Sequence, residues 1–235
     1  MIALEWLGEP YRLCRVEKDV RAGEVYRRVH PRGQVPALRV DGRTLLEANA
    51  ILTHVADRQP PLRLLPPNGT WERDVANQWM AYLGSGFHPA FWPYFTPQRY
   101  VKDEAMHASV KQAAVELIEN ALRLVNAHLA EREFALGAER SVVDAYLHAM
   151  DRWANKIVDV PGAYPHVWRH QKMMAKDPAV RLGLSIERGD QEPAGGPFKG
   201  HVDLTDVIGG MKGTLDIKGD ITGPTGALVE WEVMK

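Results

Sequence analysis

Apolar residues recur at helical spacing from Trp71 to about Ser185, most regularly at Val110, Ala114, Leu117, Ile118, Ala121, Leu124, Val125 and Leu129. Steps of three and four residues place such positions on one stripe of a helix, so this region predicts an all-helical bundle. Residues 1–58 follow a different rhythm. A helix end at Ile2 to Gly8 leads to a strand around Tyr11 to Val16 and a second at Val35 to Val40. After a turn at Asp41-Gly42 come a short strand at Thr44-Leu45 and a helix from Glu47 to Arg58. That alternation predicts a small α/β unit. Residues 59–70 hold Pro60, Pro61, Pro66 and Pro67 ahead of Asn68-Gly69 and read as a linker, because proline at this density interrupts helix and stiffens the chain. Residues 71–187 then form the helical domain.

The last segment, residues 188–235, changes grammar again. Gly189 to Gly200 is rich in glycine and proline, and period-two runs follow at His201 to Val207, Thr214 to Ile221 and Ala227 to Met234. They predict a β-meander, which is stable only when one face docks on something else; otherwise the tail is disordered.

Composition narrows the function classes. The 235 residues carry 29 basic and 30 acidic side chains, so no electrostatic pull toward nucleic acid or an anionic membrane is expected. A small molecule or a protein is the expected partner. The single cysteine, Cys14, excludes an internal disulfide. With no leader-like segment and no apolar run long enough to span a bilayer, a reducing cytoplasm is the expected location.

Several short patterns carry chemistry. In Gln34-Val35-Pro36-Ala37-Leu38 a proline opens a strand and leaves the main chain of Val35 available to an extended ligand. In Leu46-Glu47-Ala48-Asn49 a carboxylate stands at a helix start, where free N–H groups favour an anion. Ser141 and Asp144 have the spacing of a capping box, a folding device. His166 and His170 are four apart on a helix, but no third ligand accompanies them, so no metal is expected. Cys14 lies inside a strand, where a thiol packs as a small hydrophobe.

Taken in order, Gln34-Val35-Pro36-Ala37-Leu38, Leu46-Glu47-Ala48-Asn49-Ala50-Ile51, Trp79 to Leu83 leading to Phe87-His88-Pro89-Ala90-Phe91, and Ser141 to Leu147 followed by Arg152-Trp153-Ala154 resemble glutathione transferases, closest to the bacterial beta-like class. The resemblance covers residues 1–187. It implies a thioredoxin-like N-terminal domain, an all-helical C-terminal domain, glutathione as co-substrate without a metal, a hydrophobic electrophile as second substrate, a role in detoxification and a homodimer. It further implies a cis bond before Pro36, with Val35 pairing to glutathione like one more strand, and the glutathione head group on Glu47 and Ala48. The family usually has a hydroxyl where Ala48 stands, so one hydrogen bond is missing. His88 matches a histidine near the ligand cleft, and Phe91 and Tyr94 join it as electrophile-pocket residues.

The same resemblance leaves the catalytic residue unknown. Met1 to Leu4 align with the later part of the family's first helix, so the first strand, with the Tyr, Ser or Cys that activates the thiol, has no counterpart. Three explanations compete, in order of preference: a start upstream of Met1, a replacement strand from the tail, suggested by Leu228 to Val233, or an incomplete and noncatalytic domain. The last makes the chain a binding or interaction module in place of an enzyme.

Overall fold

The computed structural model describes residues 1–190, 196–209 and 215–218. The N-terminal part runs α1 (Ile2–Leu7), β1 (Tyr11–Cys14), α2 (Lys18–Ala22), α3 (Glu24–Arg27), β2 (Ala37–Val40), β3 (Arg43–Leu46) and α4 (Ala48–Asp57). The helical part comprises α5 (Trp71–Tyr82), α6 (His88–Ala90), α7 (Trp92–Phe95), α8 (His107–His128), α9 (Val142–Ala154), α10 (Val160–Ala163), α11 (Pro165–Met174) and α12 (Pro178–Arg188). Beyond it lie β4 (Phe198–His201), α13 (Leu204–Gly209) and β5 (Leu215–Lys218). This is the expected α/β unit followed by a helical bundle.

The β2–β3 hairpin closes on Asp41-Gly42, both at positive φ, the two-residue turn whose twist matches that of paired strands. The strand order is β3-β2-β5-β1-β4. The position between β1 and β2 is therefore filled from the tail, as the second of the three explanations expects, although by residues 215–218; Leu228 to Val233 lie outside the described residues. Strand β5 runs parallel to β1, with Tyr11 opposite Leu215, and antiparallel to β2, with Ala37 opposite Lys218.

The meander reading is corrected. Strands β4 and β5 both run parallel to β1 and lie on opposite sides of it, and residues 204–209 are helical. The Asp203 carbonyl accepts the N–H groups of Asp206 and Val207, opening a helical turn. That turn lets Val202 and Val207 reach the same small cluster as Cys14, Val16 and Tyr26, where an extended run would separate them. The run Ala227 to Met234 lies outside the described residues.

One large core joins the two regions. Ile2, Leu4 and Trp6 of α1 share it with Val143 and Met150 of α9 and Val180 of α12. The proline-rich connection is pinned to that core, since Leu64 and Leu65 are buried and the Leu64 carbonyl accepts the Val142 N–H at 3.1 Å. Arg73, at the start of α5, clamps Asp57 of α4 through two bonds of 2.8 and 2.9 Å and also reaches the Pro66 carbonyl.

Candidate functional site

The hairpin register assembles the site. With Ala37 paired to Leu46, the flanking dipeptides Val35-Pro36 and Glu47-Ala48 leave the same end of the sheet side by side. The Val35–Pro36 bond is cis, and Val35 stands outside the β2 ladder with no backbone hydrogen bond among the described residues. The loop ahead of it is held from below. The Tyr26 hydroxyl donates to the Gln34 carbonyl at 2.7 Å, and Gly33 turns at φ 62°, where a Cβ would meet the Arg21 carbonyl oxygen at 2.6 Å. Only glycine fits that turn.

Glu47 precedes α4 at φ 69° and ψ 124°, a backbone conformation that side chains disfavour. Its carboxylate is exposed and ion-paired with Arg32. The N–H groups of Ala48, Asn49 and Ala50 open α4 and have no intrahelical acceptor, the ordinary condition of a first turn; the Ile51 N–H is the first to bond back, to Glu47 at 3.0 Å. The Asn49 amide donates to the Met80 carbonyl at 2.7 Å, and Gly84 passes so close that a Cβ there would sit 2.6 Å from the Asn49 nitrogen. The first turn of α4 is thereby tied to the helical region.

Opposite it, α5 passes into a π-helical turn, Leu83–Phe87, a distortion that often marks functional positions, and His88 follows directly. The His88 ring stacks near Trp92 and lies 5.1 Å from the Trp153 ring, and its Nδ1 is 3.1 Å from the Tyr146 hydroxyl. Burial pushes the imidazole down to about 4, so it is neutral near pH 7. Burial, with the Glu47 charge second, holds the Tyr146 phenol above its usual range, so it keeps its proton. The Asn49–Met80 bond ties the start of α4 to the helix that leads into His88.

The three aromatic-pocket candidates separate. Phe91 is fully enclosed by Phe87, Phe95 and Trp153 and has no surface for a ligand, so its expected place in an open pocket is corrected to core packing. Tyr94 is half-buried with Lys111 of α8 5.7 Å from its ring. Of the three, His88 alone lies against Tyr146. Two residues of the site escaped the sequence reading. Arg32 is signalled only by its place before Gly33-Gln34-Val35, and Tyr146 lies within the Ser141 to Leu147 run, where only Ser141 and Asp144 carry a local pattern.

The capping pair has the geometry its spacing predicts, with Asp144 Oδ2 accepting the Ser141 N–H at 2.8 Å and its hydroxyl at 2.9 Å. His166 and His170 do not converge. Both ring nitrogens of His170 face carboxylates, Asp144 at 3.0 Å and Asp151 at 3.3 Å, while the His166 ring lies against Arg169. Cys14 is buried among Val16, Tyr26 and Ala37. No helix of the described residues is long and apolar enough to cross a membrane.

Comparison with known proteins gives consistent matches. The family described as "Glutathione S-transferase, N-terminal domain" matches residues 1–58. The chain is similar to glutathione S-transferase GST-4.5 of Xanthomonas campestris, 32% identical over 187 residues that cover 79% of this chain and 91% of that protein. It is equally similar to glutathione S-transferase GstA of Escherichia coli O157:H7, 32% identical over 193 residues with the same coverage. Among solved structures, a sphingomonad glutathione S-transferase complexed with glutathione superimposes with a TM-score of 0.71 at 36% identity, covering 79% of this chain and 90% of its own.

Proposed function

From the premise that this chain belongs to the glutathione S-transferase family, we propose that it binds glutathione at Val35, Pro36, Glu47 and Ala48 and conjugates the thiol to a hydrophobic electrophile. The observation that carries the reading is the hairpin register, which sets the main chain of Val35, unpaired among the described residues, beside a carboxylate at a helix start. Those features complement a tripeptide: its backbone pairs at Val35, its ammonium meets Glu47, and its α-carboxylate meets the free N–H groups of α4 and the Arg32 guanidinium. The unusual backbone at Glu47 supports the same reading, because strained residues gather at ligand clamps.

Chemistry on the thiol needs a group that favours the thiolate. His88 is the residue we assign. With Tyr146 donating to Nδ1, the neutral imidazole keeps its proton on Nε2; that atom is buried, so donation of its N–H to the sulfur, which stabilises the anion that attacks the electrophilic carbon, requires the packing around His88 to open when glutathione binds. The fully buried Phe91 leaves the electrophile to the more accessible surface around His88 and Trp92. We assign the working form to a homodimer in the cytoplasm, on the family resemblance.

Calorimetry with glutathione and turnover with chlorodinitrobenzene test the reading together. Binding and turnover are expected in the parent, with turnover reduced roughly 10²-fold or more in His88→Ala. Binding without turnover points to the noncatalytic module, a reading favoured by the tail strand at the sheet position next to the cleft. Absence of binding refutes the enzyme and any module that acts by binding glutathione.

A further inference from the structure

Helix α9 is buried on both faces, and the two differ in chemistry. Tyr146, Met150 and Trp153 form the face toward His88. The other face presents Asp144, His148 and Asp151, and it meets His170 of α11. His170, Asp144 and Asp151 have 0% side-chain exposure, with His170 Nε2 3.0 Å from Asp144 Oδ1 and Nδ1 3.3 Å from Asp151 Oδ2. The two aspartates are seven residues apart, so one imidazole grips the helix at two heights along a single stripe.

Buried ion pairs are poor stabilisers compared with apolar side chains of the same volume, because desolvation consumes their attraction. What such a cluster supplies is direction. Apolar side chains slide over one another, whereas hydrogen bonds fix an angle. Asp144 is anchored further by the Ala135 N–H at 2.7 Å and by Ser141, so the grip extends to the segment that leads into α9. The neighbouring charge, Arg152, is paired with Glu187 of α12. Precision matters at the opposite face. A rotation of α9 by about 20° carries an atom at a radius of roughly 6 Å through about 2 Å, more than the Tyr146–His88 bond tolerates.

We propose that His170 is a positioning residue: gripped by Asp144 and Asp151, it sets the rotation of α9 that holds Tyr146 against His88. The consequence for glutathione chemistry rests on the function proposed above; the link from His170 to His88 does not.

The test compares His170→Leu with Asp151→Asn, which keeps an acceptor for the imidazole, in full-length protein shown to be folded by circular dichroism. The readouts are the His88 imidazole signals by NMR without ligand and the glutathione affinity by calorimetry. His170→Leu is expected to shift the His88 signals and weaken glutathione binding by roughly ten-fold or more. Asp151→Asn should leave both close to the parent. If His170→Leu lowers only the melting temperature and leaves the His88 signals in place, the proposal is overturned. Should that variant not fold, Asp151→Leu removes one arm of the grip and carries the same expectations. A parent that binds no glutathione refutes the functional reading alone, since the His88 signals still decide the positioning claim.

Discussion

Glu47 holds its φ of 69° against a cost of about 1–3 kcal/mol for a side chain in so sparsely populated a region. Its exposed pairing with Arg32 repays little of that, because surface ion pairs contribute about 0–1 kcal/mol. On the proposed function, that strain serves the glutathione head group. Glu47→Gly is expected to stabilise the protein by about 1 kcal/mol in denaturant unfolding while weakening glutathione binding roughly ten-fold or more, since a charged hydrogen bond is lost. Loss of stability together with unchanged affinity would contradict the role. At this scale Val35, Pro36, Glu47 and Ala48 were readable because each sits in a local motif. Arg32 and Tyr146 were not, because their roles come from a loop folding back and from a helix rotation that no local pattern encodes.

Within elements, the buried ions of α9 and α11 make a distinct pH signature. Burial pushes Asp151 up to about 6 against the pull of His170, and its ordinary value is 3.8. Burial pulls His170 down, but hydrogen bonds and charge from Asp144 and Asp151 outweigh it and hold the imidazole up at about 9, above its ordinary 6.5. Both values are raised, so in both cases the folded protein binds the proton more tightly than the unfolded chain. Each contribution is present at low pH and lost as pH rises, through about 6 for Asp151 and about 9 for His170. Asp151→Asn should remove the part of the decline between about pH 4 and 6 and should be more stable than the parent at pH 7, by on the order of 2 kcal/mol. Unfolding curves across that range check it; a variant that keeps the parent's slope there rules out a raised Asp151. The helical period and the capping pair made α9 legible, but the partners of its charged face lie 19 and 26 residues away on another helix.

At the scale of the molecule, the sheet is assembled from distant parts of the chain. Strand β5 separates β1 from β2, and its register sets Asp216 at the rung between Arg12 and Arg39. Removing residues 210–235 should free the facing edges of β1 and β2, accelerating amide exchange at Leu13 and Leu38 relative to α9; unchanged exchange would show that the inserted strand does not hold them. The period-two pattern of Thr214 to Ile221 revealed a strand but not its site, because pairing between distant segments is decided by which backbone groups are left unpaired elsewhere. The helix at 204–209 was missed for a related reason: Val202 and Val207 fit a shared cluster only when the chain turns between them.

The central claim is that glutathione lies along Val35 with its head group on the start of α4. The most direct measurement is a backbone amide NMR titration with glutathione. The account predicts that the Val35 and Ala48 amides move together with one affinity, and that Glu47→Gln weakens both alike. Saturating glutathione that leaves these two amides unmoved, or shifts residues only elsewhere, would contradict it.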